Sequence, residues 1–527
     1  MSQRENTKIK KNWTHTRENY VNWVSSNKLK SFLHDNCSYE GLSLWWATTL
    51  VSKDNVNFPT WYINLKNIFK KKNFDLKENF FFWFLFLFKL IKNLIFKILW
   101  AVTIKFISYS RYNKYEYENL FHSYSYDFTK KDNKFVNKLY GKIFSSANSG
   151  KNLYLISIIK PLFFLQNYVN FKKNNNSIIL DEYISVQEII LTNLIVIKNL
   201  VKVLNFIKKE KNIFHIKKKN CENILKPLFI NSFCGEIQNS ILMAKSVGNF
   251  LHKKRAKNFV TYGEFTPLYR PTYFYIKKCK NRPNITAFQH GHANFLYNFN
   301  KKNEFSKNEN NEGTTHSPAP DKYFVQGYNF YKNLKKFYKG KLQIIGAPRY
   351  DSITFKRKYQ KIEGINKKKK NILICTSVGD QEDILEILSK SVNVKYNYIL
   401  SPHPDNKEKV FSLYKKKYKS KINLSLFKNY NTAQLIQISD LVITGLSHAC
   451  IEAQLIGIPS IRIANPNKPD YLDHKDQITV IYSSNDLKKV LKKKNFLDYR
   501  IKKLKKLERD YFFRLDNKAY KRFWKYL

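Results

Sequence analysis

The sequence predicts an α/β protein with two doubly wound domains, a central cleft between them and an apolar helical insertion in the N-terminal part. Three observations carry this. From about residue 226, short apolar runs alternate with longer amphipathic ones, the βα rhythm of a parallel sheet. A basic stretch, KRKYQKIEGINKKKK (356–370), interrupts that rhythm once, so two sets of βα units are expected. The 527-residue length exceeds what one core ordinarily holds.

Composition narrows the class. Hydrophobic residues make up 43% and aromatics 16%, enough to bury cores, which excludes a wholly disordered chain. Lys and Arg number 94 against 40 acidic residues, a net charge of +54 that invites nucleic acid or an anionic membrane. Only 13 of the 94 are Arg, the residue whose fork geometry suits phosphate and base reading. The excess of Lys, Asn, Ile, Phe and Tyr reads as AT-rich coding drift. Nucleic acid is therefore not expected as a partner, whereas an anionic membrane surface is. Six dispersed cysteines without a C-x-x-C disfavour a disulfide framework and a zinc ribbon. MSQRENTKIKKNW has no apolar run behind it, so no secretory signal is expected and a reducing cytoplasm is the simplest compartment.

Residues 1–75 read as mixed, with a helix over SYEGLSLWWATTL (38–50) and a strand over TWYINL (60–65). From Phe80 to Ile107 the chain runs FFFWFLFLFKLIKNLIFKILWAVTIKFI, with six polar residues among 28: Lys89, Lys92, Asn93, Lys97, Thr103 and Lys105. That length would span a bilayer. Each Lys near a helix centre costs roughly 2.5–3.5 kcal/mol there, while each Leu, Ile or Phe returns about 0.3–0.6 kcal/mol. Three central lysines thus cancel the apolar gain. A helix lying in the interface, its lysines reaching anionic head groups, fits better; a hairpin buried in the fold and a true span are the other readings. Residues 108–225, rich in Lys and Asn, are read as a helical insertion.

The βα pattern follows. PLFINSF (227–233), NFVTYGEF (258–265) and NITAFQHG (284–291) are apolar runs, with helices near 236–253 and 268–280. The polar stretch 299–320 reads as a loop, before strands over KYFVQG (322–327) and LQIIGAPR (342–349). The second set has strands over NILICTS (371–377), YNYILSPHP (396–404), INLSLF (422–427), LVITG (441–445) and PSIRI (459–463). Helices are expected near 380–391, 431–438 and 447–457, with a Lys-rich one after 404. The last 40 residues form a charged amphipathic helical region, expected to pack back across both domains. The expected division is 1–355, a linker at 356–370, a second domain at 371–485 and a helical tail at 486–527. No internal repeat is visible.

The sharpest constellation is DLVITGLSHACIEAQLIGIPSI (440–461). Gly445 permits a tight turn and close backbone approach. Ser447 suits the N-cap of the next helix, whose free N–H groups and dipole favour a phosphate. Glu452 lies one turn beyond His448 on the same face, where a carboxylate accepts hydrogen bonds from ribose hydroxyls. The plain alternative is a strand–turn–helix with a capping serine. In SPHPDN (401–406), Pro402 and Pro404 hold His403 in extended backbone at a second strand end, where an imidazole can donate to a phosphate. His-Pro in a turn is also a common structural feature. CTSVGD (375–380) is a third strand end, with Thr376, Ser377 and Gly379 as phosphate or sugar contacts.

These residues carry a resemblance. The spacing of His403–Pro404, Thr444–Gly445, Ser447, Glu452, Gly457 and Pro459 is similar to the donor half of GT-B glycosyltransferases, of relatives using CMP-sugars or CDP-polyols, and of UDP-sugar 2-epimerases. The chain further resembles a family of bacterial surface carbohydrate biosynthesis proteins, through SYEGLSLWW (38–46), TYGEF (261–265), FQHGH (288–292), PDKYFVQG (320–327) and IGAPRYD (345–351). The resemblance covers most of the chain loosely, on short motifs. It implies a GT-B-like pair of Rossmann-like domains. It implies that His403 and Ser447 handle the donor phosphates and Glu452 the ribose, with no catalytic metal and no bound cofactor. His448 departs from the pattern, where relatives often carry a second Ser or a small residue.

The N-terminal domain is then the acceptor side. Glu264, after an apolar run and Gly263, suits a general base. His290 and His292 flank Gly291 and suit binding of anionic groups or proton transfer; metal binding and ordinary turn histidines are the alternatives. Asp35, Glu40 and Arg349 are weaker acceptor-side candidates, and Trp45 and Trp46 suit either sugar stacking or the core. The leading expectation is a metal-independent glycosyltransferase of surface polysaccharide synthesis, peripheral on the inner face of the cytoplasmic membrane. It would take a nucleotide sugar and a glycan or lipid-linked acceptor. A CDP-polyol phosphotransferase, a sugar 2-epimerase, and a non-enzymatic basic binding protein are the rivals.

Overall fold

The computed structural model describes residues 18–52, 80–107, 115–124, 128–131, 134–137, 139–146, 152–157, 177–262, 265–289, 304–305, 311–351, 368–377, 379–403, 407–427, 430–465, 478–493, 495–500 and 504–527. They fall into two units. Arg17–Asn55, Asn64–Ser352 and Asp510–Leu527 build the N-terminal unit, and Ile353–Arg509 the C-terminal one. The strand expected at 60–65 and most of the linker expected at 356–370 lie outside the described residues.

The N-terminal unit is organised on seven parallel strands: β1 (Glu116–Tyr124), β2 (Asn152–Ser157), β3 (Ser177–Ile179), β4 (Arg255–Thr261), β5 (Asn284–Phe288), β6 (Lys322–Val325) and β7 (Lys341–Ile344). Their order across the sheet is 7-6-5-4-1-2-3, so the winding reverses between β1 and β4. Phe121 stands opposite Val260 there, and Phe259 opposite Ile285 on the next pair. Three of these strands fall within 108–225, so that region is not a helical insertion. β1 escapes a hydrophobicity reading because it buries polar groups in mutual bonds, whereas β2, NLYLIS, is an apolar run in a Lys- and Asn-rich region. Asn258 Nδ2 donates to Asn119 Oδ1 at 2.9 Å, and Asn119 Nδ2 to Asn152 Oδ1 at 2.8 Å, an amide ladder over β4, β1 and β2.

Two further local expectations change. SYEGLSLWWATTL is not one helix. Ser38–Tyr39 pairs antiparallel with Leu42–Ser43 through Glu40 and Gly41, both at positive φ, as a two-residue hairpin turn demands. Short 3₁₀ turns follow at Leu44–Ala47 and Thr49–Ser52. Trp45 and Trp46 are core residues, each 1% exposed, and Trp46 Nε1 donates to the Thr314 carbonyl at 3.0 Å. PLFINSF belongs to a helix, Glu222–Asn231, and to the kinked turn Ser232–Glu236 after it.

The apolar segment is one continuous helix, α1 (Phe80–Ile107), and not a hairpin. One face, with Phe86, Leu90, Trp100, Ala101 and Ile104, is buried in the unit, while Phe84, Leu87, Phe88, Ile91, Ile95 and Leu99 are each half exposed or more. Asn93 explains the polar break in the pattern. Its Nδ2 donates at 2.9 Å to the carbonyl of Cys234, and at the adjoining Gly235, φ 124°, a Cβ would stand 2.6 Å from that nitrogen. The kinked turn thus seats the helix. α2 (Val186–Lys209) packs against α1; it opens on a Ser185–Glu188 capping box and ends in Lys208 and Lys209. Among the described residues it is the one helix long and apolar enough to cross a membrane, by length and composition. α3 (Ile237–Lys253) and α4 (Tyr269–Lys278) follow close to the expected bounds. Asp510–Leu527 also belongs to this unit, where Asp351 accepts from the N–H groups of Ala519 and Tyr520 at 3.2 and 2.6 Å.

The C-terminal unit carries six parallel strands: β8 (Lys370–Cys375), β9 (Tyr396–Ser401), β10 (Ser425–Leu426), β11 (Leu441–Thr444), β12 (Ser460–Ile463) and β13 (Thr479–Ile481). Their order is 10-9-8-11-12-13, the doubly wound Rossmann order, with the reversal between β8 and β11. Ile372 and Ile374 enter one buried cluster and Leu373 and Cys375 another, so both faces of β8 are covered. INLSLF contributes only the two-residue β10. Both units are therefore α/β and doubly wound, as the sequence predicts.

Candidate functional site

In an open α/β sheet, ligands meet the carboxyl edge where the winding reverses. In the C-terminal unit that edge lies between β8 and β11, where Cys375 stands opposite Thr444. Thr376 and Ser377 leave β8 there, and Gly445, Leu446 and Ser447 leave β11. Thr376 is buried, and its hydroxyl has no hydrogen-bond partner among the described residues. Ser377 is half-buried, as are Ser447 and His448.

The turns are held by a residue that sequence reasoning passed over. Asp380 stands at the start of α5 (Gln381–Ser389), a position where Asp usually caps a helix, but it makes no capping bond. Its Oδ1 accepts from the Ser377 N–H at 2.7 Å and its Oδ2 from the Leu446 N–H at 2.6 Å. One carboxylate thereby joins the turn after β8 to the turn after β11. Burial pushes this carboxyl up to about 6, against the two N–H donors and the neighbouring Arg462 guanidinium. Arg462, fully buried on β12, donates through Nε to the Gly445 carbonyl at 3.0 Å. Nothing local in CTSVGD separates Asp380 from an ordinary acid at a helix start; its bond to the Leu446 N–H does.

Gly445 does serve a close approach, but the partner is Asp380: a Cβ at 445 would stand 2.8 Å from Asp380 Cγ. The helix after it, α6 (Ala449–Leu455), is shorter than the expected 447–457. It starts late because His448, already helical in backbone, holds the cap position, and it stops early because Gly457 turns to φ 79°. Ser447 is therefore not the N-cap, although its Oγ accepts from the Ala449 N–H at 3.3 Å. Glu452 is half-buried one turn into α6, its N–H bonded to the His448 carbonyl at 3.2 Å. Its charge reaches Cys375 at the end of β8: burial, followed by Glu452, pushes that thiol well above its usual range. Thr376, Ser377, Gly445, Ser447, His448 and Glu452 thus share one edge. His403 is exposed two residues past β9, the other neighbour of β8, and Pro404 lies outside the described residues.

Glu264, His290 and His292 also lie outside the described residues. Beside the last two, Gln289 and Gln326 lock the ends of β5 and β6: Gln326 N–H donates to Gln289 Oε1 and Gln326 Nε2 to the Gln289 carbonyl, both at 3.0 Å. Asp35 is exposed on the helix Lys28–Asn36. Glu40 is ion-paired with Lys245 at 2.7 Å, and Arg349 donates to the Tyr350 hydroxyl at 2.7 Å and lies over that ring. Glu40 and Arg349 are thus engaged in fold contacts. Among the described residues, no three His, Cys, Asp or Glu side chains gather as a metal ligand set.

No family model matches the chain, and no curated protein matches it. Solved structures do. UDP-GlcNAc 2-epimerase from Neisseria meningitidis bound to UDP-GlcNAc aligns at 11% identity and a TM-score of 0.41, over 78% of this chain and 99% of that one. The wall teichoic acid polymerase TagF aligns at 13% identity and a TM-score of 0.40, over 83% and 94%. MurG from Acinetobacter baumannii aligns at 10% identity and a TM-score of 0.34, over 71% and 90%.

Proposed function

We propose that the chain is a metal-independent glycosyltransferase of the GT-B type, acting in bacterial surface polysaccharide synthesis of the capsule or O-antigen kind at the inner face of the cytoplasmic membrane. The observation that carries this reading is the convergence of Thr376, Ser377, Ser447 and Glu452 on the β8–β11 edge, with the Thr376 hydroxyl buried and unbonded among the described residues. A buried hydroxyl left unmade costs about 1–3 kcal/mol, a cost that a bound phosphate or sugar oxygen removes. The C-terminal unit holds a nucleotide sugar. Hydroxyls of Thr376, Ser377 and Ser447 bind the donor phosphates, His403 donates to the leaving diphosphate, and Glu452 accepts from the ribose. Asp380 positions both turns without meeting the donor. Glu264, with His290 and His292, supplies the base and anion contacts for a glycan or lipid-linked acceptor. Catalysis then rests on charge placed against the leaving group and on one proton acceptor.

Nucleotide release from UDP-, CMP-, GDP- and CDP-activated sugars tests the reading. Turnover with one donor class is expected, reduced about 10²-fold or more in Glu452→Ala and His403→Ala, as is usual when a preorganised contact is removed. No release from any donor, with donor binding untouched in both variants, overturns it. Release without an acceptor, accompanied by an epimerised sugar, would assign the sibling chemistry instead.

A further inference from the structure

Beneath α1, in the N-terminal unit, lies a cavity of about 260 Å³ at the carboxyl ends of β1 and β2. Tyr124 and Ser157, the last residues of those strands, form part of its floor, and Asn93, Phe96, Lys97 and Trp100 of α1 form its roof. Most of the remaining wall is apolar, from Leu180, Ile184, Ile189 and Leu242. Neutral polar groups of Ser157, Asn239 and Ser246 interrupt it.

One group does not belong in such a wall unless something meets it. Lys97 lines the cavity, and burial pulls its ammonium below the ordinary lysine range, with the Asp181 carboxylate acting the other way. Among the described residues the ammonium makes no hydrogen bond and no ion pair. Asp181 also lines the cavity, where its Oδ1 accepts from Trp100 Nε1 at 3.2 Å. Lys97 is half-buried, and an ammonium set against an apolar wall is costly unless an anion meets it, whereas a methionine would pack the same space without that cost. The opposite face of the same helix is apolar and turned outward, through Leu87, Phe88, Ile91, Ile95 and Leu99, with Lys89 and Lys92 also exposed.

We infer that this cavity binds the anionic head group of a single-chain amphiphile, a phosphate with the first methylenes of its chain, with Lys97 as the counter-charge. The cation and neutral donors take the head, the apolar wall takes the chain, and the outward face of α1 keeps the site next to the lipid such a ligand comes from. The inference needs no nucleotide sugar and stands apart from the glycosyl-transfer reading.

Calorimetric titration of the full chain with decyl phosphate, decanol and inorganic phosphate tests it, beside decanoate and phosphatidylcholine vesicles with and without phosphatidylglycerol. Decyl phosphate is expected to bind at least tenfold more tightly than decanol or inorganic phosphate, and decanoate to fall between. Lys97→Met is expected to lose about tenfold or more for decyl phosphate and nothing for decanol, with Lys97→Gln as the second variant. Decyl phosphate binding no tighter than decanol in the wild type, a measurement that needs no variant, overturns the inference. So does equal decyl phosphate affinity in wild type and folded variants. Inorganic phosphate binding as tightly as decyl phosphate reduces the cavity to a free-anion site and also overturns it. Vesicle binding that needs phosphatidylglycerol, beside decyl phosphate binding that ignores Lys97, assigns the lipid contact to the outer face of α1 alone and overturns it as well.

Discussion

Asp380 and Gly445 are in contact across the sheet edge of the C-terminal unit, with the carboxylate lying where a side chain at 445 would have to be. Together with the Ser377 and Leu446 N–H bonds, this makes the two turns one rigid piece. Gly445→Ala forces an approach of 2.8 Å to Asp380 Cγ, which must be relieved by moving the acid off its N–H donors. A loss of roughly 1–3 kcal/mol is expected, as for other overpacked sites. The Asp380→Ala/Gly445→Ala double variant should lose at least about 1 kcal/mol less than the two single variants combined. Strict additivity in denaturation would show that the two residues do not couple.

The same acid sets a pH dependence with a definite sign. Its folded pKa, about 6, lies above the unfolded value of roughly 3.9, so its stabilising share is complete below the lower value and lost as pH rises through the upper. Two units correspond to roughly 3 kcal/mol. Hydrogen exchange on β8 and β11 should therefore show the stability gap between wild type and Asp380→Asn widening from about pH 7 to pH 5. A gap that widens toward high pH would mean that the N–H donors and Arg462 outweigh burial.

Thr376 separates a binding role from a structural one. Valine keeps the shape and removes a hydroxyl that has no partner among the described residues. Stability should stay level or rise by up to about 1–2 kcal/mol. Affinity for the donor nucleotide, measured by calorimetry, should fall about tenfold. A destabilised Thr376→Val with unchanged nucleotide affinity would make the hydroxyl structural.

What could be read in advance followed the side chains that face a core. β8 and β11 are short apolar runs bounded by Gly, Ser and Asn, and both appear within a residue or two of their expected ends. β1 is illegible because Asn119 and His122 satisfy their neighbours inside the sheet, so buried positions read as polar, whereas β2 is an apolar run, NLYLIS, with no βα rhythm around it to place it. The candidate residues on the β8–β11 edge were legible from strand-end chemistry. Asp380 was not, because its function there is a bond to a turn 66 residues away, which no local pattern encodes.

Arg270 shows the same limit in the N-terminal unit. The guanidinium is wholly buried, paired with Glu304 at 2.8 Å and donating to the Phe265 carbonyl at 2.8 Å. Glu304→Ala leaves a buried cation, and a loss of about 3–5 kcal/mol is expected in chemical denaturation. Arg270→Met/Glu304→Leu should recover most of that loss, since the pair is then removed as a unit. Equal losses in both would mean that the Phe265 and Ser317 bonds of Arg270, and not its charge, hold the site.

The outward face of α1 carries the last prediction. Leu87, Ile91 and Ile95 are 54%, 53% and 50% exposed, and their spacing of four residues puts them in one stripe. Exposed apolar stripes of this length on a helix with flanking lysines favour the lipid–water interface. Removing the exposed half of each side chain from water is worth on the order of 1 kcal/mol. Leu87→Ser/Ile91→Ser/Ile95→Ser should therefore weaken binding to anionic vesicles about a hundredfold, at 1.4 kcal/mol per tenfold. The buried face, with Phe86, Leu90 and Trp100, is untouched by these changes, so the thermal unfolding of the triple variant should match the wild type. High salt should weaken the wild type only in part, because the apolar term is not screened. Vesicle binding that vanishes in salt and ignores the triple variant would move the contact from the stripe to the lysines, and the membrane reading of α1 would fall with it.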